Sequence, residues 1–471
     1  HRLVPGILRA GCPCGGLDQR LQRKHGSASA LPGSRGPLPR DLGLDQDHTR
    51  CRRLRLSLLP RARCLFDEPV HVKVAGLGSR QVVTLRAQAT DERGVVFRSA
   101  AVYRADGDGE LDLCRDAALC GSYEGVEPMG LLWSMRPIVP HKYFHWSKAL
   151  SPHLVRFSVH DGMDVEEKEH GGALAEVINE RVLLGEGVVR EVVNFGKGNG
   201  VLFTPPGEGP FPGVLDLSSF ASEKRASLLA NKGFVVLNVS VMYDKPAKIN
   251  YLELDHYQEA LVFLQQQPKV GGDGLGVIGR SKAGDIALSL ASFVPGVRAV
   301  VWINACSGNM GAPLHYRGRE VLSPVTLDLT KIIPAADGAS IIKFGVTDPN
   351  SEENRTSRVP IEKATADFLF LASEDDLNCD CRASMESMAA QLWRAGKENV
   401  EMVCYPRAGH LLEPPYGPYC RSGLHGFLRT VVMWGGEPQA HACAEVLAWK
   451  KVEEFFRSRL SCGHPKTKAK L

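Results

Sequence analysis

The feature that most constrains how this chain can fold is the segment 275–284, LGVIGRSKAG, in which an apolar run leads directly into a serine flanked by glycines. The run predicts a buried strand, and the apolar residues that follow recur at the spacing of a helix. A sharp strand-to-helix turn requires small residues where the backbone crowds, and Gly279 and Gly284 meet that need. We therefore predict a nucleophile elbow with Ser281 at its tip. The alternative is an ordinary strand–turn–helix unit of a nucleotide-binding sheet.

Two later loops supply the other groups that a nucleophilic serine needs. At neutral pH a serine hydroxyl is a weak nucleophile until a base removes its proton, and in sheets of this kind an acid and then a histidine follow the serine along the chain. The apolar run 368–372 ends beside Asp375 and Asp376, and the run 400–405 leads into the loop that contains His410. The order predicts a Ser-Asp-His triad. Taken singly, the acids would be a solvated turn and the histidine a surface residue.

Longer motifs run through both halves of the chain. In the second half they are FPGVLDL at 211–217, RASLLA at 225–230, GHLLEPPY at 409–416 and WGGEP at 434–438. In the first half they are DEPV at 67–70, YRAD at 103–106, GELDL at 109–113 and EPMGLLW at 127–133. In sequence and order they resemble the type I acyl-CoA thioesterases and the related bile acid-CoA:amino acid N-acyltransferase. The resemblance covers roughly residues 63–460.

The resemblance implies an α/β-hydrolase domain with a mainly parallel sheet and helices on both faces, preceded by an N-terminal β-sandwich. It also implies catalytic roles for Ser281, His410 and one of the two acids. The family separates its acid and histidine by 34 positions, which selects Asp376 and leaves Asp375 as the second choice. The thioesterases have serine in the elbow, whereas the N-acyltransferase has cysteine, so Ser281 favours hydrolysis of fatty acyl-CoA through an acyl-serine. The resemblance suggests no metal or other cofactor.

An acyl-transfer site also needs N–H donors for the oxyanion. The residue after the nucleophile, Lys282, would supply one amide, and we assign the second to Ser218, in the loop that follows the strand 213–217. This loop departs from the family because at 218–224 it reads SSFASEK, contains no glycine and is shorter than in the relatives. Glycines there would let the backbone bend its amides towards the oxyanion.

Two residues inside the elbow depart from the family as well. Ala283 replaces the inner glycine of the elbow pattern, which is the mildest possible change. Arg280 places a bulky cation beside the nucleophile, where it would either help to bind coenzyme A phosphates or crowd the turn. These departures leave a catalytically impaired paralogue with the same fold as the alternative function, and an amino acid N-acyltransferase as a third possibility.

Hydrophobic patterning divides the chain into four parts. Residues 1–62 lie outside the resemblance and are rich in Arg, Gly, Leu and Pro, so we predict a disordered or non-family segment there. Short alternating runs at 63–194 predict a strand-rich region, which the family resemblance implies is the β-sandwich. Strands that alternate with helices at 195–460 predict the parallel sheet of the hydrolase domain. Residues 461–471 form a polar tail that carries a targeting signal.

Composition and the last residues indicate partners and location. A net charge of +4 gives no reason to expect a nucleic-acid partner, and no apolar run reaches the length of a membrane span. The sequence Ala469-Lys470-Leu471 is a conservative variant of the Ser-Lys-Leu signal that a peroxisomal import receptor reads, so we predict a peroxisomal location. The cytosol and, because residues 1–62 are rich in arginine, the mitochondrion are the alternatives. The expected substrate is acyl-CoA.

Overall fold

In a computed structural model of the chain, the described residues are 53–146, 148–165, 172–242 and 250–460, together with the backbone of 7–9. The strands are β1 (Ile7–Arg9), β2 (Arg55–Leu59), β3 (Arg63–Leu65), β4 (His71–Ala75), β5 (Val82–Thr90), β6 (Val96–Arg104), β7 (Glu110–Asp112), β8 (Cys120–Gly121), β9 (Arg136–Pro137), β10 (His153–Asp161), β11 (Ala175–Val182), β12 (Val189–Phe195), β13 (Gly198–Thr204), β14 (Phe211–Ser218), β15 (Val235–Ser240), β16 (Leu252–Glu253), β17 (Val270–Arg280), β18 (Val297–Ile303), β19 (Leu314–Tyr316), β20 (Arg319–Leu322), β21 (Ile333–Pro334), β22 (Ser340–Ile341), β23 (Asp367–Ser373), β24 (Val400–Tyr405), β25 (Ser422–Leu424) and β26 (Val431–Met433). The α-helices are α1 (Gly130–Trp133), α2 (Lys224–Asn231), α3 (Leu254–Gln265), α4 (Lys282–Phe293), α5 (Cys381–Arg394) and α6 (Pro438–Arg459).

The N-terminal domain is a sandwich of two sheets. A three-stranded sheet in the order β2-β4-β7 packs against a larger sheet in the order β3-β11-β10-β5-β6-β8, in which β9 also pairs with β6. Alternate residues of the strands are buried: Val72 and Val74 of β4 share one apolar core with Leu85, Phe97 and Phe157 of the larger sheet. Because successive side chains of a strand point to opposite faces, alternating apolar runs predict strands with one buried face, and the family resemblance implied that they form a sandwich. The predicted β-sandwich is confirmed.

Two strands pair across the predicted domain boundaries. The strand β2 pairs with β4 in antiparallel register, so the sandwich includes residues before the expected start at 63. The strand β12 pairs with β13 in the sheet of the second domain, so that domain begins before the expected 195. Neither strand carries a family motif, and only its pairing partner decides the sheet to which it belongs. Within 1–62, the backbone of β1 also pairs in parallel with β24.

The second domain is built on a nine-stranded sheet in the order β1-β24-β23-β18-β17-β14-β15-β13-β12. The pairs from β24 to β15 are parallel, whereas β13 runs antiparallel to both β15 and β12. The central strands are apolar on both faces: Val277 of β17 packs on the side of α3, α4 and α5, and Ile278 packs on the side of α2 and α6. Such a sheet, covered on both faces, confirms the predicted α/β-hydrolase architecture.

Four adjacent parallel strands deliver polar residues to one edge of this sheet. Ser281 directly follows β17, and Asn304 directly follows β18. Asp376 lies in the loop after β23, and His410 lies in the loop after β24. Because the carboxyl ends of parallel strands meet at one edge of a sheet, the topology gathers these four residues there.

Candidate active site

Ser281 stands on the sharp turn between β17 and α4. Its backbone has φ 57° and ψ −134°. This conformation is unfavourable for any residue other than glycine, and residues that adopt it are found most often at functional sites. The Ser281 amide donates to the carbonyl of Ile303 at 3.0 Å, which anchors the turn to β18. A side chain at Gly279 would collide with the backbone of Ala283, and one at Gly284 would collide with the segment after β18. The turn therefore requires both glycines.

The acid and the base form a buried pair. His410 Nδ1 lies 2.7 Å from Asp376 Oδ2, and the two side chains are 3% and 0% exposed. Asp376 Oδ1 accepts the backbone N–H groups of Asn378, at 2.7 Å, and Cys379, at 3.1 Å. A carboxylate held in this way accepts a hydrogen from the ring, so Nδ1 carries the proton and Nε2 is the basic nitrogen. The Trp434 ring stacks on the imidazole with ring centroids 5.6 Å apart.

The second candidate acid has a different place in the structure. Asp375 Oδ2 accepts the N–H of Gly436 at 2.8 Å, and the Asp375 amide donates to a carbonyl in the loop that carries His410. Asp376 is therefore the acid that contacts the histidine, whereas Asp375 braces the loop. The described contacts include no hydrogen bond between the Ser281 hydroxyl and the His410 ring. In enzymes without bound substrate such catalytic contacts are commonly long, and they shorten when the substrate binds.

Asn304, which no motif indicates, links the three loops. Its Nδ2 donates to the Ser373 hydroxyl at 2.9 Å and to the His410 carbonyl at 3.0 Å, and its Oδ1 accepts the Ser373 amide at 2.8 Å. It directly follows Ile303, whose carbonyl receives the Ser281 amide. Asn304 is fully buried at φ 42°, a conformation that asparagine tolerates better than most residues. In the sequence, a polar residue directly after the apolar strand β18 is the signal that could have indicated this role.

Two family models match the chain. Residues 67–195 match the model described as "Acyl-CoA thioester hydrolase/BAAT N-terminal region", and residues 252–462 match "BAAT / Acyl-CoA thioester hydrolase C terminal". The chain is also 42% identical over 417 residues to human acyl-coenzyme A thioesterase 2, mitochondrial, an alignment that covers 88% of this chain and 85% of that protein. The chain belongs to the acyl-CoA thioesterase/BAAT family.

Two further comparisons extend this result. Human acyl-coenzyme A thioesterase 1 is 42% identical over 417 residues, which cover 88% of this chain and 98% of that protein. Among solved structures, an acylaminoacyl peptidase from Pyrococcus horikoshii aligns with 86% of this chain and 61% of its own, at 16% identity and a TM-score of 0.40. Family membership rests on the sequence relatives, and the fold rests on the strand order described above.

A second histidine of this family member holds the loop that carries His410. The Gly409 N–H donates to His441 Nδ1 at 3.0 Å, and His441 Nε2 donates to the Leu411 carbonyl at 3.0 Å. His441 thus binds the peptide groups on both sides of His410, with a ring that accepts at one nitrogen and donates at the other. Burial lowers the pKa of His441 to about 4, which keeps the ring in this neutral form at physiological pH. No sequence pattern indicated this role.

The Ser219 hydroxyl connects the loop that follows β14, where the second oxyanion donor is predicted, to the elbow. This hydroxyl donates to the Arg280 carbonyl at 3.0 Å and accepts the Ala283 N–H at 3.4 Å, so it bridges the elbow across Ser281. The Ser218 hydroxyl, in contrast, is buried and has no hydrogen-bond partner in the described part of the chain. The Ser218 backbone pairs with Ser240 of β15, and its carbonyl accepts the Val241 amide at 2.8 Å.

Lys282 offers its amide and its side chain to different neighbours. The amide lies in the first turn of α4, where backbone N–H groups lack partners within the helix and attract negative charge. The ammonium group enters a buried network, 2.7 Å from Asn309 Oδ1 and 3.0 Å from Asp285 Oδ1. Burial lowers the pKa of Lys282 and raises the pKa of Asp285 to about 6, and the contact between them opposes both shifts. The network fastens the elbow helix to the loop after β18.

Two clusters in the described residues contain the side-chain types that bind metal ions, namely Asp376, Cys379 and His410, and His71, Asp112 and Cys114. In the first, the carboxylate and the imidazole already bind each other, and a hydrogen bond with Cys381 together with burial raises the pKa of the Cys379 thiol well above its usual range. A metal would need the thiolate. In the second, Lys73 Nζ lies 3.0 Å from Asp112 Oδ2 and supplies the positive charge. In both clusters the carboxylate therefore already has a partner within the protein.

Proposed function

We propose that this protein hydrolyses fatty acyl-CoA to a free fatty acid and coenzyme A, with Ser281 as nucleophile, His410 as general base and Asp376 as the carboxylate that orients the base. The observation that carries the proposal is the buried Asp376–His410 hydrogen bond of 2.7 Å at the sheet edge that also bears the strained turn at Ser281. Membership of the acyl-CoA thioesterase/BAAT family supports the substrate class.

The proposed reaction begins at His410 Nε2, which takes the proton of Ser281 Oγ as that oxygen attacks the thioester carbonyl. Asp376 stays ionised, keeps a proton on His410 Nδ1 and stabilises the imidazolium that forms. The tetrahedral intermediate expels coenzyme A, whose sulfur receives the proton from His410, and an acyl-serine remains. His410 then deprotonates a water molecule, whose attack releases the fatty acid and restores the Ser281 hydroxyl.

The negative charge that develops on the carbonyl oxygen in both steps needs N–H donors. We assign them to the amides of Lys282 and Ser218, and in other hydrolases one such donor stabilises the transition state by about 3–4 kcal/mol. The Ser219 bridge supports this assignment, because it holds the end of β14 against the elbow in a loop that contains no glycine. A loop that fails to aim the Ser218 amide would make the protein the impaired paralogue.

Thiol release from acyl-CoAs of increasing chain length tests the proposal. The wild-type protein should release coenzyme A, and Ser281→Ala should lower kcat by at least about 10⁴-fold. Ser292→Ala is the matched control, because it removes a hydroxyl of the same helix that bonds to the Leu288 carbonyl, and it should retain kcat.

Two outcomes would favour the alternative functions. Equal, negligible release by the wild type and by Ser281→Ala would refute hydrolysis and identify an impaired paralogue. An N-acyl product that forms when glycine or taurine is added, at the expense of free fatty acid, would identify an N-acyltransferase.

We further propose a peroxisomal location, with an import receptor as partner. The support is the sequence Ala469-Lys470-Leu471, which lies outside the described residues, whereas the name of one human relative includes the word mitochondrial. None of the helices in the described ranges is long and apolar enough to cross a membrane. Antibody staining of the untagged chain in cells should coincide with a peroxisomal marker, and deletion of 469–471 should abolish that pattern. Staining of mitochondria by both chains would refute the proposal.

A further inference from the structure

Arg280, the residue before the proposed nucleophile, forms an ion pair with the loop that carries His410. Its Nη2 lies 2.6 Å from Oε1 of Glu413. The sequence left two interpretations of Arg280, namely that it binds coenzyme A phosphates or that it crowds the turn. The structure instead directs its charge to a carboxylate within the protein.

The two partners stand at either side of the proposed site. Arg280 is the last residue of β17, and its carbonyl accepts the Ser219 hydroxyl, so its backbone is fixed. Glu413 is the third residue after His410, and the Leu412 amide donates to the His410 carbonyl at 3.0 Å, so the segment between them turns tightly. A single ion pair therefore joins the loop that bears the nucleophile to the loop that bears the base.

The surroundings make this ion pair sensitive to the loss of either partner. The side chains of Arg280 and Glu413 are 19% and 14% exposed, so water screens them weakly. A cavity of about 20 Å³, large enough for one water molecule, adjoins Glu413 and is lined by Lys224, His441 and Glu445 among others. Removal of one charge of a buried pair leaves the other without compensation.

The charge states favour the same contact. Burial alone would raise the pKa of Glu413, but the nearby positive charges of Arg280 and Lys224 outweigh it and hold the pKa below its usual range. Burial raises the pKa of Glu445 well above its usual range, which disfavours a second anion beside Glu413. Glu413 is thus the ionised partner available to Arg280.

We propose that the Arg280–Glu413 ion pair is a positioning device that sets the alignment of Ser281 with His410. The inference rests on the proposed function of those two residues. It assigns to Arg280 a role in this chain that the elbow motif does not contain, and Glu413 is its partner within the GHLLEPPY segment. Neither residue is a catalytic residue, because both act through the loops that they hold.

A double-mutant cycle with Arg280→Met, Glu413→Gln and the double variant tests the proposal. Two rates are measured: thioester hydrolysis, and labelling of Ser281 by a fluorophosphonate, which needs an aligned serine and histidine but no thioester. Each single variant should lower kcat and the labelling rate by about tenfold or more, with KM changed by less than about twofold, because misalignment affects the chemical step. The double variant should lose no more than the worse single variant, because both changes break one contact.

Two controls keep the outcome interpretable. Arg280→Lys retains a point charge towards Glu413 and should restore both rates to within about threefold of wild type. Lys232→Met breaks the ion pair in which Lys232 Nζ lies 3.0 Å from Asp67 Oδ2, which contacts neither Arg280 nor Glu413, and it should lower thermal stability without changing either rate.

Several results would overturn the inference. Losses that multiply in the double variant would show that the two residues act independently, and single variants with wild-type rates would show that the ion pair positions nothing. Rates for Arg280→Lys as low as those for Arg280→Met would exclude the charge contact even if Glu413→Gln fails to fold. A wild-type protein that labels at Ser281 but releases no coenzyme A would refute the proposed function alone, and the labelling cycle would still decide the inference. A wild-type protein whose Ser281 is not labelled by the fluorophosphonate would refute both the proposed function and the inference.

Discussion

Each domain has a fully buried charged group, and the partners of these two groups differ. In the sandwich, the fully buried guanidinium of Arg181 donates to the Glu68 carbonyl at 2.7 Å and to Asn179 Oδ1 at 3.1 Å. In the hydrolase domain, the fully buried carboxylate of Asp376 faces the imidazole of His410. Carbonyl and amide oxygens do not change their protonation state near neutral pH, whereas an imidazole does. Of these two buried charges, only that of Asp376 has a partner of a type that exchanges protons near neutral pH, and only Asp376 lies at the proposed chemical site.

The largest effect is expected on the hydrolase side of this comparison. Asp376→Asn preserves the shape of the side chain but favours the wrong tautomer of His410, so kcat should fall about 10⁴-fold while the protein remains folded. Thiol release and thermal unfolding measure the two quantities. Asp375→Asn is the matched control and should cost much less, because Asp375 braces the loop without touching the ring. Equal losses from both variants would contradict the assignment of the acid.

The sandwich side should show the opposite pattern. Arg181→Met removes a buried cation and leaves its backbone acceptors unpaired, so the free energy of unfolding should fall by about 3 kcal/mol. The folded variant should keep the wild-type kcat. Urea unfolding gives the first value, and thiol release normalised to folded protein gives the second. A lower kcat for fully folded Arg181→Met would contradict the distinction between a structural charge at Arg181 and a functional one at Asp376.

His441 supports the loop that carries His410, the proposed base. His441→Phe removes both hydrogen bonds that hold the peptide groups beside His410, so kcat should fall about 100-fold with little change in KM. His441→Asn retains an acceptor near the position of Nδ1 and His441→Gln retains a donor near Nε2, so each should lose less activity than His441→Phe. Wild-type kcat in all three variants would show that the loop holds itself.

The smallest effect is a pH dependence of stability in each domain. Burial lowers the pKa of His153 in the sandwich to about 3, with Arg181 adding to the shift, and it lowers that of His441 to about 4, against an ordinary value of 6.5. The unfolded chain therefore binds more protons than the folded chain between pH 6.5 and these values. These two rings cost no stability above pH 6.5, and below it the free energy of unfolding falls by about 1.4 kcal/mol per pH unit for each ring until its folded-state pKa is reached.

Variants separate the two histidines. Urea unfolding at several pH values should show a shallower acid decline for both His153→Phe and His441→Phe than for wild type, since neither variant has the ring to protonate. Only the hydrolase-domain variant should also lose activity. An unchanged acid slope in both variants would assign the decline to other groups.

Several features could be predicted because they depend on residues that are neighbours in sequence. The elbow at Ser281 is one, since the apolar strand, the two glycines and the following helical spacing all lie within one short segment. The loops after β23 and β24 are others, because Asp376 and His410 each follow an apolar run. The family resemblance then supplied the sandwich and the choice between two adjacent acids. The contact between Asp376 and His410 is visible only in the structure.

The supporting residues could not be predicted in this way. Asn304, Ser219 and His441 act by contacting atoms that are remote along the chain, and each alone has the sequence context of an ordinary loop or helix residue. The membership of β2 and β12 in their sheets has the same origin. Pairing and packing between distant segments, which local patterns do not encode, decide all of these positions.

By itself, the sequence determined which segments become strands and helices, where the sharp turn falls and which reactive groups follow each strand, because those properties depend on local spacing and residue size. The tertiary structure decided which groups meet. It pairs the Arg280 guanidinium with the Glu413 carboxylate instead of exposing it to solvent. It also places the His441 ring where its two nitrogens bind the Gly409 amide and the Leu411 carbonyl. The physical reason is that a hydrogen bond or ion pair between distant residues exists only after the strands have been ordered into one sheet and the helices have closed over it.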